Sequence, residues 1–211
     1  FHRGLGAVHT RSRGHVKLAK GSADDPQNHA AAMAADRAGW TAAERLELAN
    51  HIKNGSWSYF RSHKIPTGRR VIRFTWVYKT KRDGRQKARL CVQGCTQQRG
   101  VDYDQTFCAA MRASSLRILC AVAAREKLKM RRWDFVAAYL QGSLEDGEFV
   151  YCQPPKGYST RETNGKVEMV PESEGDGVNR VCRVEKPVYG MAQAGRRWQR
   201  ALFPWLNAWS D

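Results

Sequence analysis

Asp134 is the first candidate for chemistry, because it is an acid in a basic setting, the stretch KMRRWDFVAAYLQG at positions 129–142. The chain has a formal net charge of +16, and Arg131 and Arg132 lie just before Asp134. An isolated buried charge is costly unless it is paired, protonated or bound to a metal ion. Two interpretations follow: an ion pair with one of the two arginines, or coordination of a divalent cation.

A β-strand is the element predicted to hold this carboxylate. In residues 128–135 the side chains alternate, so Trp133 and Phe135 fall on the side opposite to Asp134. We expect the two aromatic rings to anchor the strand in the core while the carboxylate faces a polar cleft.

The strongest β-hairpin signal is found in residues 69–94, where two alternating runs flank an Asp-Gly pair. A two-residue turn would align the apolar side of the first run with the polar side of the second. A three-residue loop at positions 82–84, with Gly84 in the left-handed conformation, instead pairs apolar with apolar. This register sets Phe74 and Trp76 beside Leu90 and Val92.

The opposite side of this hairpin is predicted to be a cationic surface, formed by Lys79, Lys81, Lys87 and Arg89. Like charges that face each other across two strands destabilise the pair. A bound phosphate group would offset that repulsion, whereas the alternative is an ordinary solvated outer face.

Two helices are predicted from apolar spacing. The first is about a dozen residues long around Trp40 and closes at Gly55. The second covers residues 114–127 behind an N-capping Ser114. Its core-facing side carries Leu116, Leu119, Cys120 and Ala123.

Composition bounds the class of protein. The 36 Lys and Arg against 20 Asp and Glu, with a pI near 10.0, predict a polyanionic partner, either nucleic acid or an anionic membrane surface.

We expect a basic flexible tail at 1–23, one domain at 24–211 and a polar surface loop at 161–177. With no signal peptide or transmembrane run visible, an intracellular location is expected, cytoplasmic or nuclear. The six cysteines are expected to be reduced and buried rather than to form disulfides or a zinc site.

From about residue 24 onward, the chain resembles the reverse transcriptase domain of copia-type long-terminal-repeat retrotransposons. Five ordered blocks carry the resemblance: AAERLELANHIKNGSW, TWVYKTKRDGRQKARLCVQGCTQQRGVDYDQTF, SSLRILCAVAA, DFVAAYLQGSLEDGEFVYCQPPKGY and VEKPVYGMAQAGRRW. The resemblance implies an α/β (α+β) fold in which fingers and an incomplete palm form an antiparallel sheet packed by helices.

The function implied by the resemblance is RNA-directed DNA polymerisation on a primer and template, using deoxynucleoside triphosphates and two Mg²⁺ (or Mn²⁺) ions. Asp134 matches the first metal-binding, catalytic aspartate. Tyr139 matches the position that excludes a 2′ hydroxyl. The remaining expected contacts are with the nucleotide, by Gln193, Lys79, Lys87 and Arg89, and with nucleic acid, by Lys81, Arg196 and Arg197.

This chain departs from the family pattern in a few places. Cys108-Ala109 and Gly195 replace residues usual in the family, which affects loop shape rather than chemistry. The Tyr-x-Asp-Asp motif is not present and would lie beyond Asp211, together with the remaining palm, the thumb and RNase H. We therefore expect the fragment alone to be inactive. The alternative is a nonenzymatic RNA- or DNA-binding remnant of a retroelement.

Overall fold

A five-stranded sheet is the centre of the computed structural model, which describes residues 25–131 and 133–208. The strands run in the order β1-β7-β4-β2-β3, and every neighbouring pair is antiparallel except β2 and β4. The bounds are β1 Trp57–Arg61, β2 Val71–Thr80, β3 Gln86–Val92, β4 Val150–Gln153 and β7 Arg180–Val184. Strands β5 Tyr158–Thr163 and β6 Lys166–Pro171 form a separate pair. The helices are α1 His29–Lys53, α2 Ala113–Arg125 and α3 Ala194–Ala208. The chain is thus a mixed α and β protein with a mostly antiparallel sheet.

The β2–β3 hairpin has the predicted register. Trp76 pairs with Leu90, and Phe74 pairs with Val92. The connecting loop closes with a hydrogen bond from the Gly84 amide to the Lys81 carbonyl at 2.9 Å, and Gly84 has φ +80°. The three-residue loop is therefore confirmed, and its glycine occupies the left-handed conformation that favours this residue type.

Helix α1 covers the apolar face of the hairpin and is longer than predicted, with 25 residues. Asp36 interrupts it with φ −157° and ψ 90°, so the predicted helix around Trp40 corresponds to the part that follows the kink. Trp40 is buried and packs edge-on against the ring of Tyr78 at 5.1 Å. The Tyr78 hydroxyl donates to the buried carboxylate of Glu44, so α1 is fixed to the sheet by both apolar and polar contacts.

Residues 128–135 do not form the predicted strand in the part of the segment that the structure describes. Trp133 and Phe135 are exposed, and they contact helix α3 instead of the sheet core. Their ring centroids lie 5.9 and 6.0 Å from that of Trp205. The alternation in this segment therefore arises because one side packs against α3, and the segment is not a strand of the sheet.

Residues 161–177 are largely ordered as strands rather than as the predicted loop. Asn164 and Gly165 join β5 to β6 with φ angles of 52° and 77°. Two successive positive φ values are typical of the Asn-Gly turn that matches the twist of a two-stranded hairpin. The predicted loop is therefore wrong for residues 161–171, whereas residues 172–177 lie outside the strands.

Helix α2 exists where it was predicted, but its apolar side is not packed by the described residues. Only Ala123 is buried, whereas Leu116 and Leu119 are 45% and 53% exposed. The residue before the first turn is Arg112 rather than Ser114, and its side chain makes no capping hydrogen bond. The predicted tail at 1–23 lies outside the described residues.

The six cysteines are free thiols, and the predicted burial holds for half of them. Cys91, Cys152 and Cys182 are buried in the sheet, while the other three are exposed. Burial raises the pKa of Cys91 to about 12, so this thiol stays protonated at neutral pH. Within residues 25–131 and 133–208, no helix combines the length and the apolar character needed to cross a membrane.

Candidate functional site

The basic face of the hairpin consists of Lys79, Lys81, Lys87 and Arg89. Lys79 and Lys87 are directly opposed across β2 and β3, so their charges share one side of the sheet. The pKa of Lys87 is lowered, first by its partial burial and then by the charge of Arg89. The predicted crowding of cations is therefore present at the Lys79–Lys87 pair.

Asp134 is exposed and lies within electrostatic reach of this basic face, since its charge acts to raise the pKa of Lys87. The expectation that a strand holds Asp134 is wrong, because the described residues around it form no strand. The ion pairs among the described residues do not include Asp134, and this excludes Arg131 as its partner. Arg132 is outside the described residues, so that pairing is not tested.

The described part of the chain does not bring together the ligands that a two-metal site needs. It contains no group of three or more His, Cys, Asp or Glu side chains placed to share an ion. Glu145, which lies eleven residues beyond Asp134 in the sequence, is bound instead by Arg197 and Arg200. The hydrogen bond from Arg197 lowers the pKa of Glu145. Metal binding by Asp134 therefore stays a prediction.

Tyr139 lies on a short 3₁₀ turn, Ala138–Gln141, that follows a residue with unusual backbone angles. Ala137 has φ 49° and ψ 42°, the left-handed region that costs a non-glycine residue about 1 kcal/mol. Strain of this kind is often found next to functional residues. The half-buried Tyr139 ring packs edge-on against Tyr189, with 4.8 Å between ring centroids and an interplanar angle of 66°.

Tyr189 connects Tyr139 to the basic face. The guanidinium carbon of Arg89 lies 5.6 Å from the centre of the Tyr189 ring, within the range of a cation–π contact. Arg89, Tyr189 and Tyr139 therefore form a continuous row, which we name the aromatic row. Sequence reasoning missed Tyr189, although it stands in the same YGMAQ block that drew attention to Gln193.

The main chain around Tyr189 is held tightly against the end of β3. The Tyr189 carbonyl accepts a hydrogen bond from the Val92 amide at 2.7 Å. Gly190 has φ +88°, and a side chain there would place a Cβ 2.1 Å from the Val92 carbonyl oxygen. Only glycine suits this position, and it lets the two segments approach closely.

Gln193 is fully buried rather than presented on a surface. Its amide nitrogen donates to the carbonyls of Asp102 at 3.1 Å and Glu148 at 3.3 Å. Its amide oxygen accepts from Gln97 at 3.1 Å. This arrangement ties three loops together, and the expected contact of Gln193 with a nucleotide stays a prediction.

Arg197 is also an interior residue, which differs from the expectation of a surface contact with nucleic acid. Its side chain is 4% exposed and forms ion pairs with Glu145 and Glu148. Burial acts against its charge, but hydrogen bonds to the two carboxylates outweigh burial and raise the pKa of Arg197. Its neighbour Arg196 is only partly buried at the start of α3.

The predicted residues thus divide into two groups. The basic face, Asp134, Tyr139 and the newly identified Tyr189 are solvent-accessible and linked by contacts or by charge. Gln193 and Arg197 belong instead to a buried polar network that they share with Glu148. The geometry offers a cationic and aromatic surface suited to a phosphate-bearing, ring-containing ligand.

Comparison with known proteins places the chain in a family. A family model described as reverse transcriptase (RNA-dependent DNA polymerase) matches residues 57–209. The Retrovirus-related Pol polyprotein from transposon TNT 1-94 of Nicotiana tabacum is 34% identical over 161 residues, covering 74% of this chain and 11% of that protein. The corresponding polyproteins from transposons RE1 and RE2 of Arabidopsis thaliana are 34% and 31% identical, covering 79% and 86% of this chain and 10% and 12% of theirs.

The chain spans about a tenth of the length of these relatives. No solved structure matches it significantly. The family model covers most of the chain, and the plant relatives are transposon polyproteins. The chain belongs to the reverse transcriptase (RNA-dependent DNA polymerase) family, in the group found in copia-type retrotransposons.

Proposed function

We propose that this chain supplies the fingers and part of the palm of an RNA-directed DNA polymerase, and that its accessible surface receives the incoming deoxynucleoside triphosphate. The observation that carries the proposal is the aromatic row, which joins Arg89 of the basic face to Tyr139 through Tyr189. Family membership gives the reaction class, and this row gives a surface on which the nucleotide can lie.

The triphosphate is assigned to the basic face because cationic side chains oppose each other there. Lys79 opposes Lys87, and such pairs weaken a sheet by a few tenths of a kcal/mol or more. A triphosphate lying over the two lysines and Arg89 turns this repulsion into charge-assisted hydrogen bonding. Lys81 and Arg196 are accessible enough to contact the template–primer backbone nearby.

The sugar is assigned to Tyr139. Its ring is half-buried and fixed edge-on by Tyr189, so it offers a rigid apolar edge rather than a mobile side chain. A ring held below the sugar leaves no room for a 2′ hydroxyl and thus favours deoxynucleotides. Asp134 is the chain's own proposed contribution to a Mg²⁺ or Mn²⁺ site, with its other ligands supplied by the rest of the polyprotein and the nucleotide.

A second candidate function is nonenzymatic binding of RNA or DNA. It is favoured by the net charge of +16. The two functions differ in their ligand, because a backbone-binding remnant has no reason to recognise a free triphosphate or to distinguish its sugar.

The test is titration calorimetry of the 211-residue chain with dATP in Mg²⁺ buffer, and with an RNA–DNA primer–template at several salt concentrations. The variant Lys79→Gln/Lys87→Gln should weaken both ligands and flatten the salt dependence for nucleic acid. The matched control Lys64→Gln/Lys166→Gln removes the same charge from exposed positions elsewhere. Binding of the primer–template without any binding of dATP would favour the second candidate. Equal effects of the two double variants would remove the basic face from both proposals.

A further inference from the structure

We propose that Tyr189 is a specificity-determining residue that acts through Tyr139, by holding the Tyr139 ring in the position that excludes a ribose 2′ hydroxyl. The inference rests on the proposed function, in which Tyr139 faces the sugar. It adds a positioning residue that neither residue type nor sequence spacing indicated.

The first support is the contact itself. The ring centroids of Tyr139 and Tyr189 lie 4.8 Å apart at 66°, the edge-to-face arrangement that aromatic pairs prefer. Because such a contact depends on direction, it fixes the orientation of the Tyr139 ring as well as its distance. A smaller aliphatic side chain at 189 would leave the ring free to rotate away.

The second support is the difference in anchoring between the two residues. Tyr189 is bonded through its carbonyl to Val92 and is followed by Gly190, which packs against the same strand. Tyr139 lies on a short turn, with hydrogen bonds from Leu140 to Ala137 and from Gly142 to Tyr139, and it packs against the hydrophobic core. The main chain of Tyr189 is therefore fixed by the end of β3, and its ring limits the orientations that the Tyr139 ring can adopt.

The third support is that Tyr189 contacts both halves of the proposed nucleotide surface. Arg89 lies over its ring at 5.6 Å, and the ring of Tyr139 packs against it with 4.8 Å between centroids. The Tyr189 ring thus sets the distance between Arg89, which is assigned to the phosphates, and Tyr139, which is assigned to the sugar. A residue in this position can adjust sugar selection without touching the sugar.

The experiment measures dissociation constants for ATP and dATP by calorimetry on the 211-residue chain, and the readout is their ratio. Tyr189→Leu should lower the ATP-to-dATP ratio by about two- to tenfold, the range of one aromatic pair. Tyr189→Phe should keep the parent ratio, because the ring remains. Adding Tyr189→Leu to Tyr139→Leu should cause little further loss, since the two act as a unit.

Phe60→Leu is the matched control. Phe60 also packs edge-on against a tyrosine, Tyr151 at 5.8 Å, and also lies under an arginine, Arg183 at 4.9 Å. Its loss should leave the ratio unchanged, even if the protein becomes less stable. Circular dichroism verifies folding, and Tyr189→Met, which keeps more side-chain volume, replaces Tyr189→Leu if the latter does not fold.

The outcomes separate the two proposals. If Tyr139→Leu lowers the ratio but neither Tyr189→Leu nor Tyr189→Met does, Tyr189 has no positioning role and this inference is wrong. If Tyr139→Leu leaves the ratio unchanged, the sugar contact in the proposed function is wrong, and the role given to Tyr189 is overturned with it. A lowered ratio in Phe60→Leu would show that the readout follows general stability, and would also overturn the inference.

Discussion

Arg197 of α3 and Glu148 form an ion pair in which the two side chains are only 4% and 8% exposed. Glu148 lies just before β4, so the pair joins α3 to the sheet side of the molecule. The same arginine binds the more exposed Glu145, which also accepts from Arg200 at the surface. Two arginines that share one partner but differ in burial allow a direct comparison of buried and exposed charge pairing.

We expect Arg197→Met to lower the free energy of unfolding by about 3 kcal/mol, because it leaves the buried carboxylate of Glu148 without a cationic partner, with only the hydrogen bond from the Glu145 amide. Arg200→Met should cost less than about 1 kcal/mol, since its ion pair is exposed. Urea denaturation measures both. If Arg197→Met weakened nucleic-acid binding while leaving stability unchanged, the surface role first expected of Arg197 would be restored.

Lys87 gives a prediction about pH. Its pKa in the folded protein is below the usual value for lysine, so the unfolded state binds more protons between the two values. Stability should therefore rise with pH across that alkaline window. At lower pH Lys87 is charged in both states, so its unfavourable contribution to stability is constant there. The measurement is the difference in unfolding free energy between the parent and Lys87→Gln from pH 7 to 10.5. Taking this difference separates the titration of Lys87 from that of the tyrosines and thiols, which both proteins contain. A difference that stayed constant over the whole range would contradict the prediction.

The two glycines with positive φ at 165 and 190 should respond very differently to alanine. Gly165 has open space around it, so Gly165→Ala should cost about 1–2 kcal/mol for the left-handed backbone alone. Gly190→Ala adds a Cβ at 2.1 Å from a main-chain oxygen, so we expect a loss above about 3 kcal/mol or failure to fold. Thermal melts of the two variants give the comparison. Similar melting temperatures would mean that the Gly190 approach is looser than described.

The six cysteines should form two groups of three that differ in the reactivity of their thiols. Cys95, Cys108 and Cys120 are exposed, and we expect them to react rapidly with an aromatic disulfide reagent at pH 8. Burial raises the pKa of Cys91, Cys152 and Cys182, so these thiols should react only as the protein unfolds. The measurement is the number of thiols that react quickly before and after adding urea. A fourth fast thiol would indicate that the sheet opens more easily than its packing implies.

The local features of the fold could be predicted from sequence. The register of Trp76 with Leu90 follows from side-chain parity and one glycine, and both lie within a short stretch. Gln193 and Arg197 could not be placed in this way. Their interior position depends on partners such as Asp102 and Glu148, which are distant in sequence. A local sequence pattern does not indicate contacts between such distant residues.

The alternating pattern also led to one wrong prediction, the strand at residues 128–135. The alternation in residues 128–135 indicates two different surroundings for neighbouring side chains, and a sheet is only one way to create them. Here Trp133 and Phe135 face the aromatic residues of α3, so the same pattern arises without a strand partner. The position of Asp134 relative to Lys87 likewise required the folded chain.

The pairing of the first strand with the last has a consequence for synthesis of the protein. Trp57 of β1 is the partner of Val184 of β7, and β7 also separates β1 from the rest of the sheet. During translation, β1 therefore emerges from the ribosome long before the only described strand that pairs with it. The hairpin of β2 and β3 can form early, whereas the five-stranded sheet closes late, as expected for contacts between distant parts of a chain. A ribosome that stalls before Val184 would hold a chain with an unpaired strand edge, which chaperones bind and which other nascent copies can join.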